Sequence, residues 1–384
     1  MKGGWRIAVF SVLMVFCFTV PICAEIKDSE EIVGDTMDRF DLSEIQAFIE
    51  AQEEAVGWNL TFEEVMQDLM AGDLNQLCGK LAASLKQVLF AEIGSSGRLM
   101  GQIVMLGMFG AVFSNFSSVF QENQISETGF FVTYLLLFTF LLSGFFQSMA
   151  IAERVVRQIL EFMKVVMPSY FLAVAFSGGA LSSAAMYEFT LWMITLAQWL
   201  LGTCLIPLIR VYMLLALAGH ISKEDLLSKL TELLEQMIRW SLKTLIGVVI
   251  GFHMIQGLIL PYVDALKNTT VQKLMGVIPG IGQGAAAITQ IVLGSGVLVK
   301  NTIGMAAVLI LLILTAIPIL KLLILVLLYQ MAAAMLEPIC DKRLVSCMSA
   351  VSKGHKLLLE LVMAAVLLFI ITVALVCAGT NIVH

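Results

Sequence analysis

Two stretches of the sequence decide how its fold is interpreted: MPSYFLAVAFSGGALSSAAM at residues 167–186 and IPGIGQGAAAITQIVLGSGV at residues 278–297. Each stretch is apolar enough to lie in a membrane. Each also carries a proline near its start and many Gly, Ser and Ala residues, which make a poor isolated spanning helix. The pair predicts two interrupted segments at membrane depth, where irregular backbone must be buried in protein or line a cavity.

The composition places the rest of the chain in the same class. Hydrophobic residues make up 59% and charged residues 14% of the 384 residues, and the mean hydropathy is +0.93. Such a chain has too little polar surface for a soluble globule, so we expect an all-α polytopic membrane protein. Residues 25–97 differ, because they hold sixteen acidic and four basic residues.

The N-terminal sequence explains this difference as export. Residues 1–24 combine an early basic region with a short apolar run and indicate a signal peptide. An uncleaved anchor helix is the alternative, and a lipoprotein attachment at Cys23 fits less well. Both surviving interpretations predict that residues 25–97 form a small acidic helical extracytoplasmic domain. Thr61 is an N-cap candidate there, and GSSG at residues 94–97 is the expected linker to the membrane part.

Six apolar runs are long enough to cross about 30 Å of hydrocarbon: residues 99–120, 129–152, 189–219, 245–263, 302–336 and 357–379. The first two runs fall in a predicted region 98–152. The runs containing Pro207 and Pro318 are too long for a straight span and should break or bend there. A charged stretch, residues 222–243, carries apolar residues at helical spacing, which is typical of a helix at a membrane surface or against a partner: Leu226, Leu230, Leu233, Leu234, Met237 and Ile238.

An internal repeat accounts for the two opening stretches. Pro168 and Pro207 are 39 residues apart, as are Pro279 and Pro318, and the offset between the copies is 111 residues. We therefore predict repeat units at residues 153–263 and 264–384, each with one interrupted segment. If residues 165–187 and 277–299 span fully, the copies are inverted. If these segments re-enter, the copies are parallel and the basic residues of 220–243 and 337–356 face the cytoplasm, as the positive-inside rule favours.

Interrupted segments at corresponding positions of two halves are where membrane transporters place their sites. The candidate residues for a passage are therefore the small ones in the two segments: Gly178, Gly179, Ser182, Ser183, Gly280, Gly282 and Gly284. The alternative is that these residues only let helices pack closely. Arg210 and Lys321, which the repeat aligns, are a candidate basic pair lining the passage; alternatively each extends to the lipid headgroups.

Three motifs resemble a known family. SGGALSSAAM at residues 177–186, VLVKNTIGM at 297–305 and YQMAAAMLEPI at 329–339, behind a signal and an acidic segment, are similar to the stage III sporulation protein AE family. The resemblance covers nearly the whole chain and is weakest in residues 25–97. It implies a multi-pass protein of the mother-cell membrane around the forespore, without established catalytic residues.

The resemblance further implies a core subunit of a channel or secretion complex that links mother cell and engulfed forespore. Its expected partners are other membrane proteins of the same sporulation operon, the forespore-side channel component and the lipid bilayer; whether it forms oligomers is left open. The alternatives are an autonomous permease for a small solute and a membrane scaffold. No nucleotide or metal motif is recognised, so we expect no enzyme activity, no metal, no cofactor and no nucleic-acid partner.

Overall fold

A computed structural model describes residues 42–52, 61–71, 75–117, 123–177, 180–220, 227–275 and 282–381. Every regular element in these ranges is helical. The elements are α1 Ser43–Glu50, α2 Phe62–Ala71, α3 Asn75–Ser117, α4 Asn123–Phe176, α5 Ala180–Gln198, a π-helical segment Trp199–Leu205, α6 Ile206–Gly219, α7 Ser228–Met275, α8 Gly282–Leu336 and α9 Lys342–Asn381.

Five helical stretches in the described ranges are long and apolar enough to cross a membrane: Phe131–Phe176, Ser183–Gly219, Ser228–Gly257, Gly294–Leu336 and Lys342–Ala378. They overlap five of the six predicted runs and confirm an all-α polytopic membrane protein. The sixth run, residues 99–120, begins inside α3, and its last three residues lie outside the described ranges.

Helix α4 lies at the centre of the bundle and packs antiparallel to α8. A Cβ added to Gly144, in the first half of α4, would lie 3.1 Å from the hydroxyl of Tyr329 near the end of α8. Toward the other end of α4, the ring of Tyr170 lies against Gly304, where an added Cβ would be 3.0 Å from Tyr170 Cε2. Close approach of the two backbones therefore depends on small residues facing large aromatic ones.

Helix α9 runs parallel to α4. The thiol of Cys347, near the start of α9, donates to the Tyr134 hydroxyl at 3.3 Å, and farther along the rings of Phe162 and Phe369 have centroids 5.7 Å apart. All four side chains are at least 98% buried. Aromatic and aliphatic side chains thus fill the space where α4 and α9 meet.

A buried histidine joins α9 to α4 and α8. Nδ1 of His355 lies 2.9 Å from the Val351 carbonyl, and Nε2 lies 3.0 Å from Ser148 Oγ. Because the carbonyl can only accept, Nδ1 donates to it, and in the neutral ring Nε2 accepts from the serine hydroxyl. Tyr329 of α8 stacks on the ring at 4.8 Å.

Helices α5 and α6 and the π-helical segment between them return along α4. Near the start of α5, the Ser183 hydroxyl donates to the Phe171 carbonyl, and near the end of α6 the Leu217 carbonyl accepts from the Tyr134 hydroxyl. The helical backbone runs without a gap from Ala180 to Gly219 and changes to the π-helical segment, which ends two residues before Pro207; a break or bend there stays a prediction. Pro318 lies inside the continuous helix α8, and a bend there stays a prediction.

The predicted GSSG linker at residues 94–97 is wrong, because helix α3 continues through it from Asn75 to Ser117. A Cβ added to Gly94 or Gly97 would meet nothing within 4 Å. Gly94 and Gly97 therefore lie on an open face of α3, and the helix continues through them despite their low helix propensity. The boundary predicted at residue 97 coincides with no end of a helix.

The helices ahead of α3 pack on the bundle rather than around a core of their own. Buried residues of α1 and α2 belong to the same hydrophobic cluster as those of α4, and the Phe48 ring lies 5.4 Å from that of Phe162. The amide of Gln158 also donates to Gln52.

Candidate functional site

The first Gly/Ser-rich segment contains a break between two helices. Helix α4 ends at Phe176 and α5 begins at Ala180; Gly178 and Gly179 lie outside the described residues. Ser177, which is 5% exposed, closes the end of α4, because its amide donates to the Ala173 carbonyl at 3.1 Å and its hydroxyl to the Val174 carbonyl at 2.8 Å. The predicted interruption is therefore present on the described side of the glycine pair.

Gly296 of the second segment packs against this break. A Cβ on Gly296 would lie 2.9 Å from the carbonyl carbon and oxygen of Phe176 and from Cα of Ser177. Real Cβ atoms keep a larger distance from backbone atoms, so only glycine permits this approach. The structure thus brings the two Gly/Ser-rich segments into direct backbone contact.

The remaining small residues differ in what is described of them. Ser183, 4% exposed, ties the first turn of α5 to α4 through its bond to Phe171, and Ser182 lies in the same helical turn. Gly282 and Gly284 lie in the first turn of α8, whereas Gly280 lies outside the described residues.

The repeat offset does not locate a second break in the residues that the structure describes. An offset of 111 residues from residues 177–179 predicts a break at 288–290, which is inside α8. Helix α7 instead ends at Met275 and α8 begins at Gly282, with residues 276–281 outside the described ranges. The internal repeat and its two units stay predictions.

A buried polar group lies one helical turn beyond Gly296. Lys300 is fully buried and Asn301 is 8% exposed, and the Cys377 thiol of α9 donates to Asn301 Oδ1 at 3.0 Å. The Tyr170 hydroxyl of α4 donates to a carbonyl of α9 at 3.3 Å. A lysine within a candidate membrane span is rare and is a candidate for function. The polar contacts around it join α8 and α4 to α9.

Arg210 and Lys321 have different neighbours. The exposed Arg210 guanidinium lies 5.9 Å from the ring centroid of Phe146 on α4, which is cation–π distance. Lys321 Nζ lies 4.0 Å from a Glu92 carboxylate oxygen on α3. The two bases thus contact different helices, and their role in lining a shared passage stays a prediction.

Comparison with known proteins identifies relatives of the chain by sequence. The sequence model of "Stage III sporulation protein AE" matches residues 60–380. The chain belongs to this family. It is similar to Stage III sporulation protein AE of Bacillus subtilis (strain 168), with 23% identity over 317 residues that cover 82% of this chain and 79% of the relative. No solved structure matches it. Membership in the stage III sporulation protein AE family implies a role in sporulation.

In this member of the stage III sporulation protein AE family, sequence reasoning missed Gly296 and Lys300 as site residues. Both lie in stretches that the sequence analysis describes: Gly296 is the last glycine of the second Gly/Ser-rich segment, and Lys300 belongs to the motif VLVKNTIGM. The available signal was a lysine in a long apolar run. In the residues that the structure describes, no group of three His, Cys, Asp or Glu side chains is placed to hold a metal ion.

Proposed function

We propose that the chain is a membrane core subunit of a multiprotein sporulation channel or secretion complex that links mother cell and engulfed forespore. Its family and its five candidate spans support a multi-pass sporulation protein of the membrane. The finer role rests on one observation: an apolar face that α7 leaves open in its charged first half.

This open face consists of four large side chains at spacings of three and four residues. Leu230, Leu233, Met237 and Trp240 are 46–68% exposed. Charged residues lie between them, and the Lys229–Glu232 ion pair has side chains that are 93% and 71% exposed. In a helix with this many charges, exposed large apolar residues in a line indicate a surface that another protein or the membrane interface covers.

The opposite face of the same stretch is occupied within the chain. Ile238 and Leu242 are buried, and Arg239 Nη1 donates to both carboxylate oxygens of Glu360 on α9 at 2.5 and 2.7 Å. The position of α7 is therefore fixed by α9. Its open face is presented by a rigid helix, which favours a docking surface over a segment that folds back on its own bundle.

The alternatives are an autonomous permease and a scaffold without a passage. A permease needs room for its solute at mid-depth. The described core is instead filled by large side chains that are at most 1% exposed, including Tyr134, Phe145, Phe162 and Tyr170. This packing supports a subunit of a larger complex over a permease that works alone. A scaffold would dock the same partners as the channel subunit but would not line a passage.

The experiment is affinity purification of the tagged chain from sporulating cells, with identification of co-purifying proteins. We expect the other membrane proteins of the operon and the forespore-side component with the wild type. Leu233→Glu together with Trp240→Glu should lose them at unchanged protein level, because each places a charge on the open face. Glu232→Gln, on the same exposed stretch, is the matched control and should retain them. Recovery of the wild-type chain without partners would contradict the proposal.

A further inference from the structure

The buried face of α7 changes character along its length. Residues Ile238, Leu242, Leu245 and Val249 follow one another at spacings of three and four, and all are buried. The next two positions on the same face are His253 and Gln256, which are 3% and 6% exposed. A stripe that begins apolar therefore ends in two polar side chains inside a candidate membrane span.

A third buried polar group lies on α5, which packs beside this part of α7. The rings of Phe252 on α7 and Phe189 on α5 have centroids 5.2 Å apart. The neighbouring Thr190 is 1% exposed and lines a small cavity together with Val249 and with Thr372 of α9. His253 and Gln256 lie one and two helical turns beyond Val249 on the same face of α7.

The three side chains have polar atoms without a partner. In the part of the chain that the structure describes, Thr190 Oγ1, His253 Nε2 and both amide atoms of Gln256 have no partner at hydrogen-bond geometry, although the His253 ring and the Gln256 amide lie close enough to interact with each other. A buried polar group without a partner destabilises the fold, and in a bilayer no lipid tail can satisfy it. Four unsatisfied atoms on one interface therefore call for a molecule that donates and accepts hydrogen bonds.

Size and access limit which molecule this is. The cavity at Thr190 leaves about 10 Å³ in which the centre of a water molecule can move, and one water needs roughly 10–15 Å³ on this measure. Because the side chains are 1–6% exposed, a partner protein cannot reach them. At Thr190 the same small volume excludes an organic solute.

We propose that bound water hydrates the interface of α5, α7 and α9 from the cavity at Thr190 to Gln256. The water molecules accept and donate the hydrogen bonds that Thr190, His253 and Gln256 lack within the protein. This hydration lies beside α5, the helix that follows the break of the first Gly/Ser-rich segment. It is independent of which proteins dock on the open face of α7.

The first test is the sign of a stability change. If water pairs with Thr190, Thr190→Val removes a hydrogen bond and lowers the folded-to-unfolded ratio about twofold to twelvefold, which corresponds to roughly 0.5–1.5 kcal/mol. If the interface is dry, the same change removes an unsatisfied group and raises the ratio. Thr315→Val is the matched control, because its buried hydroxyl donates to the Leu311 carbonyl at 2.7 Å in another part of the bundle. A stabilised Thr190→Val protein overturns the proposal.

The second test observes the water directly. Solid-state NMR of the full chain in lipid bilayers, with glutamine labelled by ¹⁵N, measures magnetisation transfer from water to side-chain amides. The Gln256 amide, assigned by its loss in Gln256→Met, should receive water magnetisation as the exposed Gln236 does. A Gln256 signal without transfer, next to a positive Gln236, also overturns the proposal.

Discussion

Replacing Gly296 by alanine should weaken the contact between the two Gly/Ser-rich segments. The added methyl group would lie 2.9 Å from three backbone atoms of Phe176 and Ser177, whereas carbon atoms prefer about 3.5–4.0 Å. Helices α4 and α8 must then separate by roughly 0.5–1 Å, since backbone cannot rotate away as a side chain can. Overpacking of this kind costs about 1–3 kcal/mol.

Gly294→Ala is the control that isolates this cost. Gly294 lies two residues earlier in the same helix, and a Cβ there would meet nothing within 4 Å. Both variants gain the same helix propensity, about 1 kcal/mol at most, so this gain cancels between them. The folded-to-unfolded ratio of Gly296→Ala should therefore be roughly 5- to 150-fold below that of Gly294→Ala, at tenfold per 1.4 kcal/mol.

The assay is equilibrium unfolding of the purified variants in mixed micelles, titrated with dodecyl sulfate and followed by circular dichroism. Spore yield of strains carrying each variant is measured in parallel, with protein level checked by immunoblot. We expect Gly296→Ala to lose both stability and spore yield and Gly294→Ala to keep both. Equal stability of the two variants would refute the backbone contact.

Three further predictions concern topology and charge. With native cysteines replaced, Glu50→Cys should react with an impermeant thiol reagent in intact cells and Glu232→Cys should not, because export places residues 25–97 outside. The reverse labelling pattern would exclude this topology. Arg239→Gln should lower the free energy of unfolding by about 1–2 kcal/mol, because it leaves the Glu360 carboxylate without this partner. The two side chains of the pair are each 31% exposed. An unchanged free energy of unfolding would show that the pair contributes nothing. Lys321→Glu should reduce spore yield severely and Lys321→Arg only mildly, because a passage lined by this base responds to its charge; wild-type yield from Lys321→Glu removes it from the candidate site.

Helix positions were predictable from the sequence because they depend on local patterns. Apolar runs of sufficient length marked five of the candidate spans, and Thr61 marked the residue before α2, which begins at Phe62. The glycine pair at residues 178 and 179 marked the break between α4 and α5. In each case the signal lies in the length of a run or in a residue with a distinct backbone preference.

The packing partners were not predictable, since lipid and protein interiors are equally apolar. The sequence could not show that α1 and α2 would join the cluster around α4, nor that α3 would continue through residues 94–97. Gly296 and Gly294 look alike in the sequence, and only the facing backbone of α4 distinguishes them. The polar interface of α5 and α7 depends in the same way on which helices meet.

The contact between the two Gly/Ser-rich segments is the central claim, and a carbon–carbon contact in the unsubstituted chain tests it most directly. Glycine is labelled with ¹³C at Cα and phenylalanine at the carbonyl carbon, and solid-state NMR of the full chain in lipid bilayers measures transfer between them. The Gly296 Cα should give a cross-peak to the Phe176 carbonyl carbon, because a Cβ on Gly296 would lie 2.9 Å from that carbon; the peak is assigned by its loss in Phe176→Leu. Gly294 should give no such peak, since a Cβ there would meet nothing within 4 Å. A Gly296 signal without transfer to Phe176 would contradict the contact.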